Sequence, residues 1–114
     1  MQMTVDDLTN GIRKISLQGR MDLEGTNEIS GKLTAHASTG EKDSIMIDLS
    51  LLEFIASIGL GTLVTNAKAA RRRGGNLVLL NPQPIVAKVL ATTGIDKVIP
   101  VYDNYDEAVT ALLA

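Results

Sequence analysis

The segment Ala56-Ser57-Ile58-Gly59-Leu60-Gly61 carries the most suggestive chemistry in the chain. A serine just ahead of a helical pattern is a good N-cap. The start of a helix also offers free N–H groups and a partial positive charge, which suit an anion such as a phosphate carried on that serine. Two glycines in a first helical turn cost roughly 1 kcal/mol of helix propensity each. Small residues there point to close approach by another element of the same fold or by a partner protein. Other candidates carry less. Glu24 with Glu28, or Asp103 with Asp106 and Glu107, supply carboxylate pairs for acid–base work, but they fall on expected helix surfaces with nothing drawing them into a pocket. Arg71, Arg72 and Arg73 suit the last turn of a helix, with a patch for an acidic partner as the alternative. His36, without a second His, a Cys or spaced carboxylates, reads as a surface residue.

Composition narrows the chemistry further. The chain has 114 residues, no Cys, one His and no Trp, and its aromatics are Phe54, Tyr102 and Tyr105. Thiol catalysis, Cys-ligated zinc, iron–sulfur clusters, disulfides and a multi-His metal site are excluded within one chain, so no catalytic residue, metal or cofactor is assigned. Eleven basic against 13 acidic residues leave a formal charge of −2. That charge provides no electrostatic footprint for nucleic acid, and scarce aromatics provide no stacking platform. No apolar run approaches the roughly 18 residues that span a bilayer, and no leader pattern opens the chain, so a cytoplasmic protein is expected. At 45% hydrophobic and 21% charged, with a mean hydropathy of +0.14, the chain has material for a core. Its length suits one domain over residues 1–114. Hydroxyls, carboxylates and glycines form a poor kit for catalysis and an adequate one for binding or for being modified.

The elements that must position Ser57 follow from periodicity. Gln2 to Val5 and Ile12 to Leu17 read as strands joined through an Asn10-Gly11 turn. Asp22 precedes a helix over 23–38 and suits its N-cap; Leu23, Thr26, Ile29, Leu33 and Ala37 form its core stripe. A surface loop is expected at 40–43, then a buried strand from Ser44 to Leu49 with Asp48 as a turn or capping residue at its end. The next helix, Leu60 to Arg73, turns Leu60, Leu63, Val64, Ala67 and Ala70 inward and stops at Gly74. A strand at Asn76 to Leu80 leads to a helix from Pro84 to Thr93 with Ile85, Val89 and Leu90 as its stripe. Lys97 to Tyr102 is a fifth extended stretch, confined by Pro100 to an edge or strand end. The last helix is Asn104 to Leu113, with Tyr102 and Tyr105 as core-edge aromatics. This order implies an α/β fold with a mixed, mostly parallel sheet of about five short strands and about four helices.

Across essentially its whole length the chain resembles the STAS domain, and specifically the stand-alone bacterial anti-sigma factor antagonists. The resemblance rests on Leu17-Gln-Gly-Arg-Met-Asp22, on Ile47-Asp-Leu-Ser50 leading to Ala56-Ser-Ile-Gly-Leu-Gly61, on Arg73-Gly-Gly-Asn-Leu77, and on Pro84 through Thr93-Gly-Ile95 followed by Tyr105-Asp-Glu-Ala108. It implies that Ser57 is phosphorylated by a partner that is both anti-sigma factor and serine kinase. It further implies that Ala56, Ser57, Ile58, Gly59, Leu60 and Gly61 bind that partner with Asp22 nearby, and that a cognate phosphatase resets the switch. The kinase would bring ATP and Mg²⁺. The family commonly has Asp where this chain has Ala56, and Ser or Thr where it has Ile58. Slowed, redirected or lost phosphorylation with binding retained are all compatible with that departure. The alternative is a non-phosphorylated interaction subunit of a signalling or lipid-transport complex. No oligomeric state follows from the sequence.

Overall fold

The computed structural model describes residues 1–8, 10–38 and 44–114, and the loop expected at 40–43 lies outside them. In chain order it contains β1 (Gln2–Asp7), β2 (Ile12–Met21), α1 (Leu23–Ser38), β3 (Ser44–Ile55), α2 (Ser57–Arg72), β4 (Asn76–Leu80), α3 (Pro84–Thr92), a 3₁₀ turn (Ile95–Lys97), β5 (Val101–Tyr102) and α4 (Tyr105–Leu113). The sheet order is β1-β2-β3-β4-β5. β1 pairs antiparallel with β2, and β2 through β5 run parallel. At the hairpin Gly11 adopts φ +87°, a conformation that favours glycine, and Asn10 Oδ1 accepts a hydrogen bond from Ile12 N. The expected α/β layering and strand order are therefore present.

Each crossover from β2 to β5 steps to the next strand in the same direction, which puts α1, α2 and α3 on one face. Their core joins Ile29 and Leu33 of α1, Leu60 and Leu63 of α2, and Val86 and Leu90 of α3 to Ile15, Leu17, Ile45, Ile47, Leu77 and Leu79 of the sheet. On the other face Ala108 and Leu112 of α4 cover Ile12, Met46, Val78 and Leu80. β3 and β4 therefore read as apolar runs because both their faces are covered. Burying one such aliphatic side chain contributes roughly 1.5–3 kcal/mol.

Three expectations are corrected. β3 does not stop at Leu49. Asp48 lies within the strand, and its Oδ1 accepts a hydrogen bond from Ser50 N at 2.9 Å. The pairing Ser16 with Asp48 is followed by Gln18 with Leu51, so β3 absorbs an extra residue there, and a second irregularity falls between Gly19 and Arg20. A carboxylate that serves a displaced N–H lets the strand bulge and continue. Secondly, the fifth extended stretch is mostly not strand. Residues 95–97 make a 3₁₀ turn, and β5 holds only Val101 and Tyr102, with Pro100 O accepting from Leu79 N at 2.9 Å. Thirdly, Leu23, Ile85 and Tyr105 are exposed, and Val86 fills the core position given to Ile85.

Candidate partner-binding site

β4 reaches only as far as Leu80, opposite Asp48. β2 and β3 continue beyond it as a two-stranded arm that ends with Met21 opposite Ile55. Ala56 N then donates to Met21 O at 2.9 Å, so two helices start side by side at the tip. Asp22 caps α1: its Oδ1 accepts from Gly25 N at 2.7 Å and its carbonyl accepts from Thr26 N at 2.9 Å. Its expected capping role is thus confirmed. Its backbone neighbours that of Ala56 at the strand ends, and no hydrogen bond joins the Asp22 and Ser57 side chains among the described residues.

Ser57 is not the N-cap. Ala56 occupies that position with extended backbone and no side-chain cap bond, and Ser57 is the first helical residue. The Ser57 side chain is exposed, and its hydroxyl has no hydrogen-bond partner among the described residues. With alanine as the cap, no side-chain oxygen accepts from the first N–H groups of α2. The tip therefore presents a free hydroxyl beside unclaimed backbone donors at the positive end of a 16-residue helix.

The two glycines separate by cause. A Cβ on Gly59 would lie 2.9 Å from both Ile55 Cγ1 and Met21 Cβ, and 3.2 Å from Met21 O, so Gly59 lets α2 seat against the arm. A Cβ on Gly61 would meet nothing within 4 Å. Leu60 is buried in the core, while Ile58 and Gly61 are on the surface. Within the sequence motif, then, Gly59 and Leu60 set the position of the tip, and Ser57, Ile58 and Gly61 form its outer face.

The surroundings are apolar and acidic. Leu23, Ile58 and Ile85 lie in the first turns of α1, α2 and α3, all at the end of the sheet where the parallel strands finish, and all are exposed. Leu51, on the arm, is exposed as well. Sequence periodicity assigned Leu23 and Ile85 to the core; only their places in first helical turns set them apart. Asp22, Glu24 and Glu28 line an open groove with Leu23 and Asn27 at the head of α1. Two cations answer these carboxylates: Arg20 Nε lies 3.9 Å from Asp22 Oδ2 with its guanidinium stacked 4.5 Å from the centre of the Phe54 ring, and the Met1 ammonium lies 3.3 Å from Glu28 Oε1.

The arginine run lies at the opposite end of α2. Arg73 Nη2 donates to Ala37 O at 2.6 Å, and Arg13 Nη1 of β2 donates to His36 O at 2.9 Å. Two guanidiniums thus serve the last carbonyls of α1, and Arg71 donates to Val98 O. These side chains complete neighbouring turns instead of the end of their own helix. Asp7 accepts from Arg13 Nε at 2.6 Å, and this bond outweighs desolvation to hold the guanidinium above its ordinary pKa. Exposed Glu24, Glu28, Asp103, Asp106 and Glu107 sit on helix surfaces or their approaches. Among the described residues no three His, Cys, Asp or Glu are grouped to hold a metal, and no helix is long and apolar enough to cross a membrane.

Comparison with known proteins agrees with this layout. The chain is 30% identical over 111 residues to a putative anti-sigma factor antagonist, BtrV, of Bordetella bronchiseptica, covering 97% of this chain and 94% of the relative. A crystal structure of a putative anti-sigma factor antagonist from Thermotoga maritima superposes with a TM-score of 0.89 at 21% identity, covering 98% of this chain and 95% of that one. The Bacillus cell fate determinant SpoIIAA in its phosphorylated form shares the fold, with a TM-score of 0.71 at 23% identity over 96% of this chain and 98% of that one. The STAS domain model matches residues 5–108. A helix start delivered by a parallel strand pair, the sheet order around it and this match over nearly the whole length make the chain a member of the STAS domain family.

Proposed function

We propose that this protein is an anti-sigma factor antagonist that binds an anti-sigma factor through the tip formed by Asp22 and Ala56 to Gly61, and that phosphorylation of Ser57 by that partner ends the complex. The observation that carries the reading is the free, exposed hydroxyl of Ser57 at the first position of α2, between surface Ile58 and an uncapped helix start. The name of the Bordetella relative supports the partner class. In the modification, Ser57 Oγ attacks the γ-phosphorus of ATP, its proton passes to a base on the kinase, and ADP leaves. The nucleotide and Mg²⁺ belong to the kinase, and a cognate phosphatase would return the hydroxyl by hydrolysis. The phosphate adds about −1.5 to −2 charges at pH 7 in surroundings that already hold Asp22, Glu24 and Glu28. An anionic partner surface packed against the neutral serine would repel this charge and would have to desolvate it, so the complex dissociates.

A second reading keeps the binding and drops the modification. Ala56 and exposed Ile58 give the tip an aliphatic character that suits a constitutive subunit of a signalling or lipid-transport complex. One experiment separates the two. The purified chain is incubated with each anti-sigma factor kinase encoded in the same genome and with ATP·Mg²⁺, followed by intact-mass spectrometry and titration calorimetry. The switch requires one added phosphate that disappears in Ser57→Ala, and at least tenfold weaker binding by Ser57→Asp. A stable complex without phosphate transfer leaves the constitutive subunit, and no complex with any of them removes the anti-sigma assignment.

A further inference from the structure

We infer that the groove between α1 and α2 is a second part of the partner interface and receives a helix of the anti-sigma factor. This rests on the function proposed above. The groove, of about 620 Å³, runs from Ile58 at the tip along Gly31 and Thr34 of α1 and Gly61, Thr62 and Asn66 of α2. Gly31 and Gly61 are the helical glycines whose added Cβ would meet nothing within 4 Å, so neither glycine serves packing within the fold. Glycine weakens a helix interior, and a pair of them facing one groove lets another backbone come close.

Asn66 independently points to an occupant. It is only 3% exposed, yet it lines the groove. Its Nδ2 donates to Thr62 O at 2.8 Å, which fixes the orientation of the amide. Its Oδ1 accepts no hydrogen bond among the described residues and is not a sealed atom, unlike Thr26 Oγ1, so it remains open to a donor from outside. A partner that covers this oxygen must supply a donor, because a buried acceptor without one is costly.

The lining has no charged side chain, in a chain with 11 basic and 13 acidic residues, so the segment that enters is uncharged where it touches. No strand edge borders the groove, and an extended segment would leave its backbone groups unpaired there. A helix satisfies its own backbone. The occupant is therefore a partner helix that presents small residues to Gly31 and Gly61 and one side-chain donor, from Ser, Thr, Asn or Gln, to Asn66 Oδ1.

The test uses the full chain and the anti-sigma factor that binds it in the calorimetric assay above. Gly31→Leu is expected to weaken binding at least tenfold while keeping the melting temperature at or above wild type. Ala35→Leu, on the exposed side of α1, is expected to bind within twofold of wild type. In ¹⁵N-labelled wild-type protein the side-chain amide resonances of Asn66 are expected to shift on complex formation, a readout that needs no variant. Wild-type affinity in Gly31→Leu, or Asn66 resonances unmoved in the complex, overturns the groove and leaves the tip assignment standing. If no anti-sigma factor binds wild type, the function proposed above fails and the groove assignment falls with it.

Discussion

The same substitution at two positions of one helix turn should move stability in opposite directions. At Gly61 a methyl group enters open space, so Gly61→Ala gains the helix propensity difference of about 1 kcal/mol. At Gly59 the methyl would lie 2.9 Å from Met21 Cβ and from Ile55 Cγ1, and 3.2 Å from Met21 O. Two of those atoms, Met21 Cβ and O, cannot turn away by a change of rotamer, so either α2 or the end of β2 must shift. Overpacking of this kind costs about 3 kcal/mol at the upper end of its usual range. After the propensity gain, Gly59→Ala is left about 2 kcal/mol less stable than wild type. The two variants should differ by about 3 kcal/mol, which at about 4 °C per kcal/mol for a chain of this size is about 12 °C in Tm. Urea and thermal unfolding followed by far-ultraviolet circular dichroism measure the gap. If Gly59→Ala melts at or above Gly61→Ala, α2 does not seat on Met21 and the account of the tip is wrong.

Asp22→Ala should cost about 1 kcal/mol through loss of the cap on α1, whereas Asp22→Asn should retain most of the stability; equal melting of the two variants would remove Asp22 from the cap. Arg13→Ala should cost about 1 kcal/mol and speed amide exchange in the last turn of α1, since it deletes the bond to His36 O and the pair with Asp7; unchanged exchange there would count against the docking of β2 on that helix end. Asn104→Ala removes the side-chain oxygen that accepts from Glu107 N at 3.0 Å and should loosen α4 by a similar amount, read by the same exchange measurement.

The layering was legible in the sequence because each core stripe was dense: Ile29, Leu33 and Ala37, or Leu63, Ala67 and Ala70, admit one helix face each. The arm was not legible. Asp48 reads as a turn or capping residue, and only the register shows that its carboxylate serves the Ser50 amide so that the strand runs on to Ile55. That extension moved the start of α2 from Leu60 back to Ser57 and gave the capping position to Ala56. Leu23 and Ile85 were misread for a related reason. Periodicity assigns a side chain to a helix face, but in a first turn beyond the end of the sheet no strand lies opposite to cover it. Gly59 and Gly61 were equivalent in sequence, and separating them required the position of Met21, which lies 38 residues from Gly59 in the chain.

Moving Ser57 from the cap to the first helical position changes what its modification would do. A capping serine contributes about 1 kcal/mol, so blocking its hydroxyl would loosen the helix and mix a folding effect with a binding effect. At the first helical position the hydroxyl makes no bond within the described residues, and Ser57→Ala should leave stability within about 0.5 kcal/mol of wild type. Negative charge there meets the positive end of the dipole and uncapped N–H groups, which favours Ser57→Asp by about 0.5 kcal/mol, or about 2 °C in Tm. The proposed switch therefore makes paired demands of that one variant: binding at least tenfold weaker and a fold slightly more stable. Thermal melts in low salt and in 0.5 M salt provide the check, because the gain should shrink as the dipole interaction is screened. A Ser57→Asp protein that melts below wild type would mean that the start of α2 does not accept the added charge. Weaker binding could then be ascribed to a disturbed helix, and the charge-release mechanism would lose its support.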